Sequence, residues 1–319
     1  MKRAIRKLLS PLEKYLIAEL FWMLVKYWRK SKQDSALKPL RLIIREDIEI
    51  LVNRMKVVRT DNSFANEAST LEEILNLINS QAKFLVDIGA ADGIRQSSTS
   101  HFLNNLGWRG ALFEYDSNSF SRLAFLYSDR EDIMLCKNKV TPMNIAGLLD
   151  NLGVPKEFDY LNIDVDSYDL TILRAMIESG FRPSVVSMEV NENFPPEIFF
   201  EVTYDPNHYW KGDHFFGSSL AAASSTLVDY NYSLVRMEYN NALFVRKEYS
   251  AKFTLPRNLK QTYFDGYLNK ADRFNLFPWN YDLEFMHSDI SVQDKIKQIN
   301  VIFQEYSGRY VLKEFKEGC

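Results

Sequence analysis

The feature of this sequence that most constrains its fold is an apolar run that leads directly into a turn containing two glycines. Residues 84–88 are apolar except for Asp87, as in a buried strand, and Gly89 and Gly93 follow four residues apart. Glycine lets a backbone pass close to a ligand, and in open α/β sheets ligands bind where strands end. The run therefore predicts the first strand of an α/β domain, with a ligand at its carboxyl end.

The side chains of the turn distinguish between classes of cofactor. Asp87 and Asp92 can address the amino and hydroxyl groups of S-adenosylmethionine, whereas two carboxylates would repel a diphosphate. The turn also lacks the G-x-G-x-x-G spacing of dinucleotide sites. S-adenosylmethionine is therefore the expected cofactor; the alternative is that the glycines form only a tight connection between strand and helix. The predicted cofactor contacts in the turn are Asp87, Gly89, Ala90, Asp92 and Gly93.

Further cofactor contacts are predicted where the next two apolar runs end. Glu114 ends the second run, 25 residues after Gly89, where doubly wound folds place an acid against ribose hydroxyls. Asn138 and Lys139 follow the third run, where an adenine contact is expected.

After the turn, short apolar runs alternate with helical patterns, which predicts a doubly wound, Rossmann-like α/β fold. Predicted strands cover residues 84–88, 111–113, 133–136, 160–163 and 185–188. Predicted helices cover residues 97–106, 120–127, 144–151, 170–179, 219–228 and 292–304. A hairpin over residues 232–237 and 243–245 turns at Asn240 and Asn241. An antiparallel hairpin that closes a parallel sheet is the sheet plan of class I methyltransferases.

A second group of polar side chains follows the fourth and fifth predicted strands. Asp164 and Asp166 come directly after the fourth strand, and Glu189 ends the fifth. Because carboxylate oxygens suit magnesium, calcium or manganese, these three acids are a candidate site for a divalent cation. Asp169 is expected to cap the helix that follows.

Methylation of an aliphatic hydroxyl requires removal of its proton. Two routes are open. A cation held by these acids could acidify the hydroxyl, or a carboxylate or histidine could act directly as the base. The candidate catalytic residues are Asp164 and His214.

An insertion rich in aromatic and acidic side chains, residues 203–217, contains two of the four histidines. A lone histidine is more often a packing or surface residue, but two on the expected substrate side are candidates for substrate binding or base chemistry. Aromatic rings beside acids suit a carbohydrate, whose apolar faces stack on Tyr or Trp while carboxylates hold its hydroxyls. The predicted substrate contacts are Asn191, Tyr204, Asp205, His208 and Trp210.

Together these motifs resemble the FkbM-like methyltransferases, a family of class I O-methyltransferases frequently encoded with polysaccharide and natural-product pathways. The resemblance is carried by residues 86–93, 107–114, 159–166, 204–206, 216–220 and 241–245. Similar members usually have glycine or asparagine where this chain has Ser167, so the local loop is expected to differ. The resemblance implies O-methylation more firmly than it implies a particular acceptor.

The first 45 residues differ in charge from the rest. They carry twelve Lys and Arg against three acids, a net of +9, so the remainder of this chain of net charge −3 carries −12. Apolar residues recur at helical steps among the basic ones, which favours peripheral contact with an anionic membrane over nucleic acid. Packing on the core or in a homo-oligomer is the alternative. Two cysteines form no disulfide framework, so a cytoplasmic location, peripheral on the inner face of a membrane, is expected.

The sequence thus predicts a basic amphipathic helical segment at residues 1–70, an S-adenosylmethionine-binding domain at residues 71–250, and an aromatic-rich extension at residues 251–319. The predicted function is O-methylation of a sugar or glycan hydroxyl. Two alternatives are a glycosyltransferase that uses Asp164 and Asp166 as a metal clamp for a nucleotide sugar, and a non-catalytic, membrane-associated scaffold.

Overall fold

The fold is that of a computed structural model, which describes residues 63–317. The predicted N-terminal helices fall on residues 1–62 and lie outside the described part. The described residues divide into two compact units, one of residues 63–72 and 89–139, the other of residues 73–88 and 140–317.

The described residues include nine strands, seven of which form one sheet. They are β1 (Phe84–Ile88), β2 (Arg109–Glu114), β3 (Ile133–Lys137), β4 (Glu157–Ile163), β5 (Arg182–Glu189), β6 (Ile198–Val202), β7 (Tyr232–Glu238), β8 (Asn241–Arg246) and β9 (Tyr310–Glu314). The order in the large sheet is β3-β2-β1-β4-β5-β8-β7. Strand β4 is parallel to β1 and β5, β2 is parallel to β3, and β8 is antiparallel to β5 and β7. The predicted doubly wound sheet, closed by an antiparallel hairpin, is therefore confirmed.

Helices connect these strands, as the alternation predicted. They are α1 (Glu67–Ile78), α2 (Ser100–Asn104), α3 (Ser117–Leu126), α4 (Ile145–Asn151), α5 (Asp169–Glu178), α6 (Leu220–Asp229), α7 (Leu259–Tyr263), α8 (Arg273–Leu276) and α9 (Val292–Ile302). Helix α2 is shorter than the predicted residues 97–106. Ser97 stays outside it, where its Oγ accepts the backbone N–H of Ser100 at 3.1 Å, an amide of the first helical turn that has no partner within the helix.

Strand β6 was not predicted, and it lies directly before the aromatic insertion. It pairs antiparallel with β9 near the end of the chain, with Val202 opposite Tyr310. Its side chains alternate between buried and half-buried positions, the period of a strand with one face on a core. That core is aromatic: the rings of Phe194 and Phe200 stack at 4.2 Å, and those of Phe215 and Tyr306 at 3.9 Å.

The closing hairpin is shifted by one residue from its predicted position. Glu238 pairs with Asn241, so the two turn residues are Tyr239 and Asn240 rather than Asn240 and Asn241. Tyr239 has the positive φ, 51°, that a two-residue hairpin turn requires.

Within residues 63–317, no helix combines the length and the apolar character needed to cross a bilayer.

Candidate active site

Asp87 lies near the carboxyl end of β1 and is buried, with 2% of its surface exposed. Its Oδ1 accepts a 2.9 Å hydrogen bond from Nδ2 of Asn162 on the neighbouring strand β4. A buried carboxylate needs such a donor to remain charged. Asn162 therefore positions Asp87.

The turn after β1 has the backbone that its glycines predicted. Gly89, Ala91 and Gly93 all have positive φ, of 95°, 48° and 75°. The amides of Gly89 and Ala90 donate to the carbonyl of Phe113 at 3.0 Å each, which fixes the turn on β2. A Cβ at Gly93 would lie 2.6 Å from Cδ1 of Leu123 on α3, so packing against that helix is enough to require glycine there.

Asp92 was predicted to contact the cofactor, but its carboxylate is used within its own loop. It is 1% exposed, its Oδ1 accepts the amides of Ile94 and Arg95 at 3.1 and 2.9 Å, and its Oδ2 lies 2.5 Å from Nε of Arg95. The structure thus assigns Asp92 to holding the loop.

Glu114, a predicted cofactor contact, lies beside the glycine turn. Its Oε2 accepts the amide of Ala91 at 2.8 Å, and its Oε1 accepts the amide of Asp116 at 2.5 Å. The carboxylate is half-buried, so its remaining lone pairs can face a ligand. Asn138 and Lys139 follow directly after β3, with Asn138 exposed and Lys139 half-buried.

The three acids predicted to bind a cation come together. Each of Asp164, Asp166 and Glu189 offers a carboxylate oxygen, and these oxygens lie within 4.8 Å of one another. Strands β4 and β5 supply them from the same end, because the two strands are parallel. Asp166 has a left-handed φ of 53°, a conformation that aspartate tolerates better than most residues.

The three carboxylates of this cluster repel one another when they are charged. At a separation of 4.8 Å and an effective dielectric constant of about 20, two carboxylates repel by about 3 kcal/mol. Burial and the neighbouring charge of Asp164 raise the pKa of Glu189 well above its ordinary value. Burial also raises the pKa of Asp166, but that side chain is exposed to screening water at the rim. Glu189 is therefore the member best suited to hold a proton.

Glu189 is also incompletely hydrogen-bonded. Its Oε1 accepts from Nδ2 of Asn240 at 3.0 Å, whereas its buried Oε2 has no hydrogen-bond partner among residues 63–317. A buried polar atom in this state is costly unless it is protonated or meets a ligand. The hard oxygen donors and this atom together fit a divalent cation.

Asp169 does not cap α5 as predicted. It is fully buried, and its two oxygens accept the amides of Val165 and Ser167 at 2.6 and 3.1 Å, both before the helix. Burial raises its pKa to about 6. Asp169 therefore shapes the loop that presents Asp166.

Asn191 was predicted to bind substrate, but its amide is fully used inside the protein. Nδ2 donates to the carbonyls of His214 and Phe216 at 2.9 and 3.0 Å, and Oδ1 accepts from the side chain of Asn193 at 3.1 Å. Asn191 therefore anchors the insertion to the end of β5.

Asp205 and His208 are also held by the protein itself. Oδ2 of Asp205 lies 2.8 Å from Nη2 of Arg309, and Nδ1 of His208 lies 3.2 Å from the same nitrogen. The His208 ring is buried against Phe215. Tyr204 packs edge-on against Tyr168 at 4.8 Å. These contacts fix the positions of the three side chains, and their predicted contact with substrate stays a prediction.

Trp210 and His214 keep groups that could meet a ligand. Trp210 is 39% exposed, with its Nε1 bound to the carbonyl of Asp213 at 2.6 Å. Nε2 of His214 lies 4.0 Å from Oδ2 of Asp282, and its buried Nδ1 has no partner in the described chain. Burial lowers the pKa of His214, so the ring is neutral at pH 7 and can accept a proton.

The contribution of the C-terminal extension to the site was not predicted from the sequence. Nδ2 of Asn280 donates to Oε1 of buried Glu192 at 2.6 Å, and Asp282 faces His214. Neither side chain lies in a periodic pattern or a motif. The available sequence signal was composition, since residues 278–289 are rich in acidic and aromatic side chains.

Among solved structures, the chain is similar to the N-terminal domain of EvdMO1, solved in the presence of SAH and D-fucose. Identity is 9% and the TM-score 0.39, over 57% of this chain and 83% of that one. It is similar to the O-methyltransferase from Bacillus cereus in complex with SAH, at 11% identity and a TM-score of 0.38, over 61% and 86%. For the O-methyltransferase TomG from Streptomyces achromogenes, in complex with SAM, identity is 15% and the TM-score 0.38, over 59% and 82%.

Because all three TM-scores lie below 0.5, these similarities establish neither a family nor an activity for this chain. No protein-family model and no curated protein sequence matches it.

Proposed function

We propose that this chain is an S-adenosylmethionine-dependent O-methyltransferase that acts on a hydroxyl of a sugar or glycan. The observation that carries the proposal is the meeting of Asp164, Asp166 and Glu189 at one end of β4 and β5. Asp87 lies on β1, which is parallel to β4, and is bound to Asn162 of that strand. Ligands of open α/β sheets bind at this end of the strands.

The residues of the glycine turn suit the proposed cofactor. Positive φ at Gly89 and Gly93 makes the turn tight. Glu114, whose Oε2 accepts the amide of Ala91, offers a carboxylate that can accept hydrogen bonds from the ribose diol. Asp87 offers a carboxylate for the methionine amino group. When bound, S-adenosylmethionine supplies a methyl group that is already activated by its sulfonium.

The acid cluster can supply the base that a hydroxyl acceptor requires. An aliphatic hydroxyl is a weak nucleophile until its proton leaves, and a deprotonated carboxylate of the cluster can take that proton. Burial raises the pKa of Glu189, which makes its carboxylate the stronger base once it is deprotonated. The acceptor oxygen then bonds to the methyl carbon as the carbon–sulfur bond breaks, and the proton stays on the carboxylate. His214, neutral at pH 7, is the alternative base.

A divalent cation held by Asp164, Asp166 and Glu189 is the other route. When bound there, it would acidify the hydroxyl. The three acids would then act as ligands, and His214 would receive the proton.

The decisive experiment is isothermal titration of the full chain with S-adenosylhomocysteine, with and without magnesium, and in parallel with UDP. We expect micromolar binding of S-adenosylhomocysteine and no binding of UDP. Binding of UDP alone would favour a glycosyltransferase, and binding of neither would favour a scaffold; both outcomes would overturn the proposal.

We also propose that the basic residues 1–45 hold the enzyme at an anionic membrane, where a lipid-linked or surface glycan would be within reach. Their net charge of +9 supports this. The test is cosedimentation with vesicles of phosphatidylcholine and phosphatidylglycerol. Loss of binding after deletion of residues 1–35 is expected, and equal binding by the truncated protein would refute the idea.

A further inference from the structure

Exposed aromatic rings are concentrated on two segments of the described chain. Of the six aromatic side chains there that are exposed, four lie in residues 209–214 and 278–282. These are Tyr209 at 67%, Trp210 at 39%, Trp279 at 50% and Tyr281 at 62%. Single exposed apolar residues are ordinary, but a grouping of large rings marks a binding surface.

Both segments are fastened to the residues that follow Glu189. Asn191 holds the first segment through the carbonyl of His214, at 2.9 Å. Glu192 holds the second through Asn280, at 2.6 Å. One contact joins the two segments, in which Oδ2 of Asp282 lies 4.0 Å from Nε2 of His214. The aromatic surface is thus anchored within three residues of the acid cluster.

Tyr281 is held in a rigid stack. Its ring lies 3.8 Å from that of Phe274, with 8° between the planes, and the Arg273 guanidinium covers the other face of Phe274 at 3.9 Å. Arg273 is fixed in turn by Glu284, at 2.7 Å. A ring ordered in advance binds a ligand at little entropic cost.

The charge of the second segment limits what it can bind. Residues 278–289 contain three acids and no Lys or Arg; Glu284 is paired with Arg273, which leaves Asp282 and Asp289 as the charges that an approaching ligand meets. This surface would repel anionic lipid headgroups and phosphates. Aromatic faces beside carboxylates instead match a neutral polyhydroxylated ligand, whose C–H faces stack and whose hydroxyls donate.

We propose that residues 278–282 complete a carbohydrate-binding surface together with residues 209–214, and that Tyr281 and Trp279 stack on sugar rings of the acceptor glycan beyond its reacting unit. The C-terminal extension therefore selects an oligosaccharide rather than a free monosaccharide. This inference rests on the proposed function for the nature of the acceptor.

The test is binding of the fluorescently labelled full chain to a printed glycan array of mono- and oligosaccharides, with S-adenosylhomocysteine titrated separately. We expect binding to oligosaccharides that falls about tenfold or more in Tyr281→Ala and Trp279→Ala. Phe264→Ala is the matched control, since Phe264 is 45% exposed on the same extension but outside both segments. Because the substituted rings are exposed, the melting temperatures of all variants should stay close to wild type.

Retained glycan binding in both ring variants would overturn the inference, as would absence of glycan binding by a wild-type chain that binds S-adenosylhomocysteine. Loss of binding to phosphatidylcholine vesicles in the ring variants, without any glycan binding, would identify a lipid surface instead and also overturn it. Glycan binding that depends on Tyr281, in a chain that fails to bind S-adenosylhomocysteine, would preserve the surface and remove the methyltransferase proposal.

Discussion

Asn280 donates a 2.6 Å hydrogen bond from Nδ2 to Oε1 of Glu192, a residue 88 positions earlier. Both side chains are buried, and neither Oε2 of Glu192 nor Oδ1 of Asn280 has a partner among residues 63–317. Burial raises the pKa of Glu192 to about 7. A protonated Glu192 carries the donor that Oδ1 of Asn280 can accept, because a carboxylic acid and an amide have complementary groups.

This pair predicts a pH-dependent effect of Glu192→Gln on stability. The pKa of Glu192 in the folded state, about 7, exceeds its ordinary value of 4.5, so the folded state binds more protons between these pH values. The contribution of Glu192 to stability therefore falls as the pH rises through that window. Glutamine imitates the protonated acid, so the variant should gain on the order of 3 kcal/mol relative to wild type between about pH 4.5 and pH 8.

The measurement is urea unfolding of both proteins at the two pH values. Glu305→Gln, at an exposed site, is the control and should show the same small difference at both. An offset for Glu192→Gln that does not change with pH would contradict the prediction.

Gly93→Ala should destabilise the fold more than Gly107→Ala. Both glycines have positive φ, of 75° and 67°, so both substitutions incur similar backbone strain. Only at Gly93 does the new Cβ meet a neighbour, Cδ1 of Leu123 at 2.6 Å, while nothing lies within 4 Å of it at Gly107. We expect a difference of about 1–2 kcal/mol in unfolding free energy. Equal losses of unfolding free energy would mean that Leu123 on α3 moves aside at no cost in stability.

Asp87 and Asp92 should respond differently to substitution, although both flank the glycine turn. Asp87→Asn is expected to weaken S-adenosylhomocysteine binding about tenfold or more, because it removes the charge offered to the amino group. Asp92→Ala leaves the amides of Ile94 and Arg95 without their acceptor, so it should cost about 2 kcal/mol of stability. Titration calorimetry and thermal melting of both variants separate these effects, and a reversed pattern would exchange the two roles.

The acid cluster predicts stabilisation by divalent cations. Manganese or magnesium at 100 times its dissociation constant should stabilise the wild-type fold by about 2.7 kcal/mol, seen as a rise in melting temperature that EDTA reverses. Asp164→Asn should abolish the rise, because it removes a ligand. Asp229→Asn, an exposed acid on α6, should retain it. An equal rise in Asp164→Asn would exclude this cluster as the cation site.

Asp282→Asn should lower the pKa of His214 further. Burial depresses that pKa, and the charge of Asp282 partly offsets the depression. Proton NMR titration of the histidine ring resonances measures the shift, with Asp289→Asn as the control in the same segment. An unchanged pKa of His214 would mean that Asp282, at 4.0 Å, does not stabilise the protonated ring in solution.

The parallel sheet and the acid cluster could be predicted from the sequence because both follow from local patterns. The apolar run at residues 84–88 is strand β1 in full, and polar residues directly after β4 and at the end of β5 must share one edge of a parallel sheet. The roles of Asp92 and Asn191 could not be predicted in this way. A side chain that hydrogen-bonds its own loop has the same sequence pattern as one that binds a ligand.

The C-terminal extension was beyond such reasoning for a different reason. Its important contacts, Glu192 with Asn280 and Asp282 with His214, join residues that are far apart in the sequence and carry no periodic signal. Strand β6 was missed likewise, because the strand that pairs with it, β9, lies more than a hundred residues away.

The pairing of β6 with β9 limits the order in which parts of the molecule can fold during synthesis. Strands β1 to β5 can associate while the chain is still being synthesised, but β6 lacks its partner strand β9 until Tyr310–Glu314 has left the ribosome. The aromatic cluster around Phe200 and Phe215 also contains Phe303 and Tyr306, so it cannot be completed before these residues are synthesised. Until then these aromatic rings are exposed on the nascent chain, and transiently exposed apolar surface of this kind makes a partly folded chain prone to aggregate.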